Sequence, residues 1–407
     1  MLTESSYTLR CNISVGKRIN SEVQYSRPVH ESAIEPKPKT FINQEKPHTR
    51  VLTKAGATAP SPAGRRTSRG GTMTQDVHTA LASWFDRYEI IRQLHDVPPH
   101  AVYEVTVDGR RAVCKVARGE TADVGAEAAV MDHVDRHTDV SVPSVLAAKE
   151  DAFVATWIDG LAADDADSEV DPDDPGDARA LGSALARLHA ATTDAFPRPG
   201  FPALGSAWGP DDRPLDCDGV AGLVVDDRTD WHAVAREFLL DIRDYLATVG
   251  WADPADEVVA LLDDRPGLFD GAGTPVLCHG NLHPEHVALC RDGTGAGQEL
   301  AALVDFEHAL VAPAEYDVWR AAIPLFHEAG SGATATFPAF REGYESVRAL
   351  PMGVERRRDA WWLVIFVTYL LALDVQNEGI GPDERERAEG TAALIADRVA
   401  TVRGRRG

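Results

Sequence analysis

Between Pro275 and Glu307 the chain alternates short apolar runs with histidine-rich polar punctuation, and that alternation leaves few ways to fold. Pro275-Val-Leu-Cys278 reads as a buried strand that runs into His279-Gly-Asn-Leu-His-Pro-Glu-His286. Val287-Ala-Leu-Cys290 leaves that loop as a second strand, and a glycine-rich turn from Arg291 to Gln298 sends the chain back along Leu300 to Val304. The return ends in Asp305-Phe306-Glu307. In an antiparallel hairpin the returning strand finishes beside the start of the outgoing one, so Asp305 arrives next to His286. His, Asn, Glu and Asp gathered at one end of a hairpin are suited to holding a metal ion and a phosphate.

Upstream, the spacing turns from β to α and back. His100 to Val107 alternates Ala101, Tyr103, Val105 and Val107; Asp108-Gly109 supplies a tight turn; Arg111 to Val116 returns. A helix is predicted from about Asp123 to Arg136, with Val124, Ala128, Met131 and Val134 on one stripe. Glu127 lies close to that stripe, where a carboxylate requires a partner. Lys115, twelve residues earlier on the strand, is the natural one; a Glu on the helix rim is the plainer alternative. Ala152 to Ile158 reads as another strand. Helices are expected at Leu181–Ala191, Trp231–Val249 and Ala360–Asn377, with one more near the C-terminus.

The order of motifs resembles the aminoglycoside phosphotransferase and choline kinase-like family, relatives of the protein kinases. That family's loop reads His-Gly-Asp-x-x-x-x-Asn and its metal-binding aspartate follows a hairpin, as Asp305 does. The interior Leu282, His283, Pro284 and Glu285 are similar to the family's loop as well. Asn281 stands where the family has its catalytic Asp, and His286 where it has its metal-binding Asn. The resemblance implies an α+β, two-lobed protein kinase-like fold. Its small antiparallel β-rich N-lobe binds ATP, and its mainly helical C-lobe carries the catalytic-loop hairpin. It implies a phosphotransferase acting on the hydroxyl of a small molecule.

The resemblance also assigns roles. Lys115 and Glu127 match the nucleotide-binding pair, with Lys115 on the α- and β-phosphates. Adenine would pack against the strand hinge near Ala155 to Ile158, which makes Thr156 and Ile158 nucleotide-contacting candidates. Asp305 would hold Mg²⁺, with a strand-end cap as the alternative. His286 would be the second ligand; its imidazole nitrogen suits Mn²⁺ or Zn²⁺ better than Mg²⁺. Asn281 can orient a hydroxyl but cannot take its proton at neutral pH, so His283, Glu285 or water would substitute. Asp317 is similar to the family's loop-bracing aspartate, or else an ordinary acid in the first turn of a helix. His279 would orient the loop, and Leu188-His189 is another family-like feature. The segment Leu94 to Ala101, which would cover the phosphates, contains Pro98-Pro99 and no glycine.

Composition narrows the partners. Net charge is −23, with 12 Lys/Arg against 5 Asp/Glu in residues 1–72 and 29 against 59 in the rest. So acidic a globular region is not a nucleic-acid binder. It fits adaptation to a salt-rich cytosol, where screening weakens self-repulsion. An ordinary acidic soluble protein is the alternative. The five cysteines form no disulfide framework and no C-x-x-C pair. The apolar run Ala360 to Leu373 is too short for a bilayer and reads as a buried helix, so no membrane partner is expected. No signal peptide is visible, which points to a cytoplasmic protein.

The organisation expected is a disordered basic extension over 1–72, a nucleotide-binding lobe and hinge over 73–160, an acidic linker over 161–178, and a helical lobe over 179–400. Met73 reads as a natural start, with a basic targeting arm as the other reading of what precedes it. Two rival functions remain. One is a pseudokinase-type regulatory module that binds nucleotide without transfer, suggested by Asn281 and His286. The other is a metal-dependent hydrolase using His279, His283 and His286, which lacks H-E-x-x-H. The acceptor's identity and the oligomeric state are not encoded in any motif.

Overall fold

The structure, a computed structural model, describes residues 77–118, 123–159, 170–205, 223–291, 298–328, 332–377 and 379–405. The extension over 1–72, the start at Met73 and residues 161–169 of the proposed linker lie outside these residues. Two lobes follow one another along the chain. The first opens with helix α1 (Val77–Trp84), an element the sequence pattern did not reveal, and continues into a five-stranded antiparallel sheet. Its strands are β1 (Tyr88–Val97), β2 (His100–Val107), β3 (Arg110–Ala117), β4 (Val145–Lys149) and β5 (Ala152–Thr156), in the order β1-β2-β3-β5-β4. Asp108 and Gly109 turn β2 into β3 with φ of 48° and 78°, the left-handed pair that a two-residue hairpin demands.

The register separates the sheet's two faces. Cys114 stands opposite Tyr103 and Val154, and Val116 opposite Ala101 and Ala152; these apolar residues pack with Leu81, Trp84 and Phe85. Lys115 stands opposite Val102 and Phe153 on the other face, which turns toward the second lobe. Helix α2 (Val124–His137) is capped by Asp123, whose carboxylate accepts from Ala126 N at 3.1 Å. Its Met131 and Val134 join Phe153 in the large core shared with the second lobe.

That second lobe contains α3 (Pro175–Ala191), α4 (Trp231–Thr248), α5 (Asp253–Asp264), α6 (Ala314–Phe326), α7 (Phe337–Glu345), α8 (Val354–Gln376) and α9 (Pro382–Gly404). The acidic segment read as a linker to residue 178 ends sooner. Asp174 caps α3 at Gly176 N and Asp177 N, Pro175 presets its first turn, and the buried Asp177 accepts from Asp171 N at 2.8 Å. Short polar chains that look solvated in sequence are here capping groups. The strand read as Ala152–Ile158 stops at Thr156, and the last helix runs beyond residue 400 to Gly404.

The lobe also has a four-stranded sheet, ordered β7 (Leu223–Asp227), β6 (Gly200–Leu204), β11 (Leu310–Pro313), β8 (Pro275–Cys278). Beside it lies the hairpin β9 (Val287–Arg291) and β10 (Gln298–Leu303), whose turn interior is outside the described residues. A two-residue pair, β12 (His327–Glu328) with β13 (Gly332–Ala333), follows α6. Helix α8 is long and apolar enough to cross a membrane, yet 78% of its most apolar window is buried within the fold. It is pinned to α6 by a buried Arg357–Glu315 ion pair, and Trp361 Nε1 donates to the same carboxylate at 2.8 Å. This tie fixes the helix from which Asp317 projects.

Candidate active site

One lysine gathers three carboxylates, one from α2 and two from the segment that follows β10. Lys115 Nζ lies 2.7 Å from Glu127 Oε2, 2.7 Å from Asp305 Oδ1 and 3.4 Å from Glu307 Oε2. The bond to Asp305 is directed, whereas the Glu127 contact is one of charge, since its Oε2 receives no aligned hydrogen bond. Lys115 and Glu127 keep 4% and 3% of their side-chain surface; Asp305 and Glu307 keep 21% and 15%. The inner pair is sealed, and the outer acids reach the cleft between the lobes.

Burial, the largest effect, lifts the Glu127 carboxyl to about 8 against the pull of Lys115, and like-charge repulsion from Asp305 and Glu307 adds to the lift. Burial also opposes ionisation of Asp305, but the Lys115 ammonium beside it holds that group at about 2. Glu307 is held well below the usual range against burial, chiefly by Lys115. Burial opposes the Lys115 ammonium, yet the three carboxylates hold its pKa well above the ordinary value. With Glu127 raised, one ammonium still faces the two ionised carboxylates of Asp305 and Glu307, so the cluster has negative charge to offer a metal ion.

β8 delivers the loop, and Asp317 holds it. Asp317 is fully buried in the first turn of α6, with Oδ2 accepting from His279 N at 2.6 Å and Oδ1 from Gly280 N at 2.9 Å. His189 Nε2 reaches the same carboxylate at 3.0 Å, and His189 Nδ1 meets Tyr344 Oη at 2.8 Å. Burial opposes its charge, but His189 and the loop amide keep Asp317 ionised below its ordinary pKa. The bracing role, left open in the sequence, is therefore what the geometry shows. His189, Cys278 and Asp317 bring donor atoms within 4.8 Å of one another, as metal ligands do. Asp317 and His189 are already committed to these hydrogen bonds, and burial keeps the Cys278 thiol protonated.

Gly280 adopts φ +80°, and a Cβ there would meet His308 O at 1.8 Å, so no larger residue fits. Arg320 Nε donates to Gly280 O at 3.0 Å, and Arg320 Nη1 to Thr368 Oγ1 at 2.6 Å, linking the loop to α8. His279 Nε2 meets Val304 O at 2.9 Å, which ties the loop to the end of the hairpin.

The hairpin register sets Leu303 opposite Val287, and His286 Nε2 comes 3.1 Å from Asp305 Oδ2. His286 Nδ1 lies 2.8 Å from Asn281 O, an acceptor that requires the ring's hydrogen on that nitrogen. In the neutral imidazole Nε2 is then the lone-pair nitrogen, buried, without a hydrogen-bond partner, and facing a carboxylate oxygen. A cation between the two resolves that conflict, so His286 and Asp305 fit a divalent metal through one nitrogen and one oxygen. Asp305 itself sits at φ +67°, a conformation L side chains seldom adopt and one that clusters at functional sites.

Asn281 is 4% exposed, and its Nδ2 has no partner. Burial, reinforced by His286 and Arg320, pushes the His283 imidazole well below its ordinary pKa, which makes it a weak base. At the hinge, Thr156 Oγ1 accepts from Ser144 N at 2.9 Å, so its hydroxyl secures β4 to β5. Ile158 is half-buried just beyond β5. Three participants had no role assigned from sequence: Glu307, His100 and Arg320. The alternation that placed Lys115 also placed His100 on the same face, and that signal was legible.

A family model described as "Phosphotransferase enzyme family" matches residues 91–350. Among solved structures, aminoglycoside phosphotransferase APH(4)-Ia shares 16% identity over 79% of this chain and 98% of its own, with a TM-score of 0.50. A thermostable mutant of it, in ternary complex with AMP-PNP and hygromycin B, gives 17%, 80%, 98% and 0.50. Macrolide 2'-phosphotransferase MphH from Brachybacterium faecium gives 20%, 75%, 91% and 0.42. At these identities the APH(4)-Ia structures show a shared two-lobed fold. No curated protein matches the sequence.

Proposed function

The chain belongs to the phosphotransferase enzyme family, and on that premise we propose that it transfers the γ-phosphoryl group of ATP to a hydroxyl of a small molecule. The observation that carries the reading is the convergence of Lys115 and Glu127 from one lobe with Asp305 and the Asn281 loop from the other. Lys115, located by Glu127, holds the α- and β-phosphates. Asp305 and His286 would hold the metal, which supplies charge neutralisation to the phosphates when bound. Asn281 orients the acceptor hydroxyl through its amide. Phosphoryl transfer has a loose transition state, so positioning and charge carry much of the rate and a missing base slows the reaction without abolishing it. The AMP-PNP and hygromycin B complex of the APH(4)-Ia mutant supports nucleotide use and a small acceptor in this fold.

A second reading, a nucleotide-binding module without transfer, is favoured by the Asn281 amide and the weak base at His283. Transfer from γ-labelled ATP across a library of hydroxyl metabolites, at high KCl with Mg²⁺ and Mn²⁺ compared, separates the two. Asp305→Ala should weaken metal-dependent ATP binding and abolish transfer. Asn281→Asp should leave ATP affinity nearly unchanged and raise the rate, by up to about 10²–10⁴-fold where general-base help is fully recovered. Nucleotide binding with no transfer to any acceptor would support the module; no nucleotide binding with either metal would refute both.

A further inference from the structure

The turn between β1 and β2 covers the side of the cleft where Lys115 lies, and it is built without glycine. Pro98 and Pro99 form its two residues, and neither has a backbone N–H to offer. Anions held by a backbone cradle need such amides, so this turn has to supply donors in another way. Two histidines flank it. Val97 pairs with His100, His95 with Val102, and Val102 with Lys115, so both histidines share the face that carries Lys115. His95 and His100 are 8% and 7% exposed, and their rings stack with centroids 5.2 Å apart. His100 Nδ1 lies 3.1 Å from Glu307 Oε2, the carboxylate that also lies 3.4 Å from Lys115 Nζ.

We propose that His100, held upright by the stacked His95, is the β-lobe's hydrogen-bond donor to the phosphate chain of the bound nucleotide, in place of backbone amides. The inference rests on the nucleotide-binding reading above. Burial pushes the His100 imidazole down to about 4, with Lys115 adding to the effect, so at neutral pH it is an uncharged ring with one N–H. Its Nδ1 now faces Glu307 Oε2 at 3.1 Å. A phosphate oxygen is the same kind of acceptor as the carboxylate oxygen, and it would take up that N–H once phosphates occupy the space beside Lys115. A purely structural pair would bury two imidazoles on the apolar face with α1; these two instead lie on the face that meets Asp305 and Glu307.

The test measures affinities of the full chain for adenosine, ADP and ATP with Mg²⁺ and with Mn²⁺, at matched high KCl, for wild type, His100→Phe and His100→Gln. His100→Phe should bind ADP and ATP about 10- to 100-fold more weakly, the size of a hydrogen bond to a charged group, with adenosine unchanged. His100→Gln, which keeps an N–H donor, should recover most of that loss. Should His100→Phe fail to fold, His100→Gln and Glu307→Gln carry the test. Glu307→Gln weakens the competing acceptor and should tighten ADP binding relative to adenosine. Equal losses for adenosine and ATP, or unchanged ADP and ATP affinity in His100→Phe, would overturn the assignment. So would a wild type that binds adenosine as tightly as ATP, an outcome that leaves the nucleotide reading standing. A wild type that binds none of the three would sink that reading and this inference together.

Discussion

Removing the carboxylate of Asp317 tests whether the loop is held from α6. Asp317→Ala strands His279 N, Gly280 N and His189 Nε2, three donors on buried residues. Orphaning a buried donor costs roughly 1–3 kcal/mol, and bonds to a charged acceptor lie at the upper end. Three of them together give about 3–6 kcal/mol, allowing for relaxation. Asp317→Asn keeps the shape and one oxygen. Placed at Oδ2, that oxygen still serves His279 N and His189, while the amide N–H₂ faces Gly280 N; one mismatched donor should cost about 1–3 kcal/mol. Urea unfolding with linear extrapolation measures both. The cycle with His189→Phe should be strongly non-additive, because the histidine and the carboxylate share one bond. A loss below about 1 kcal/mol for Asp317→Ala, or strict additivity with His189→Phe, would show that the loop stands without this anchor.

Lys115→Ala should weaken ATP binding, Glu127→Ala should weaken it by misplacing Lys115, and a double-mutant cycle read by calorimetry should be non-additive; additive losses would count against the pair. Glu127 also predicts a pH dependence. Its carboxyl is raised from 4.5 to about 8, so its contribution to stability is full below pH 4.5 and is lost as pH rises toward 8. Wild type should therefore lose stability relative to Glu127→Gln across that window, by at most about 1.4 kcal/mol per pH unit. Parallel denaturation profiles at pH 5, 6.5 and 8 would refute it. Asp305 acts oppositely, and its contribution fades only as pH falls from 3.8 toward about 2. Gly280→Ala combines left-handed strain of about 1–2 kcal/mol with the clash at His308 O, so it should unfold at lower urea and lose transfer. An alanine variant as stable and active as wild type would show that the loop can move aside.

Several parts of this molecule could be read from the chain because the forces that set them are local. Alternation and Asp108-Gly109 define β2 and β3, and the 3.6-residue stripe of α2 turns Glu127 inward within reach of Lys115. Period-two pairing in a hairpin likewise delivers Asp305 to His286. What only the tertiary structure decided depends on groups far apart in sequence. Asp305 and Glu307 compete with Glu127 for one lysine about 190 positions away, which is what separates their protonation behaviour. Asp317 could be a helix acid or a brace until β8 and α6 bring the amides of His279 and Gly280 to it. β6 joins β11 across more than a hundred residues, a pairing no local pattern announces. Buried charge is the reason for the difference: periodicity can say that a side chain points inward, but its ionisation and its partner follow from every other group that folding places beside it.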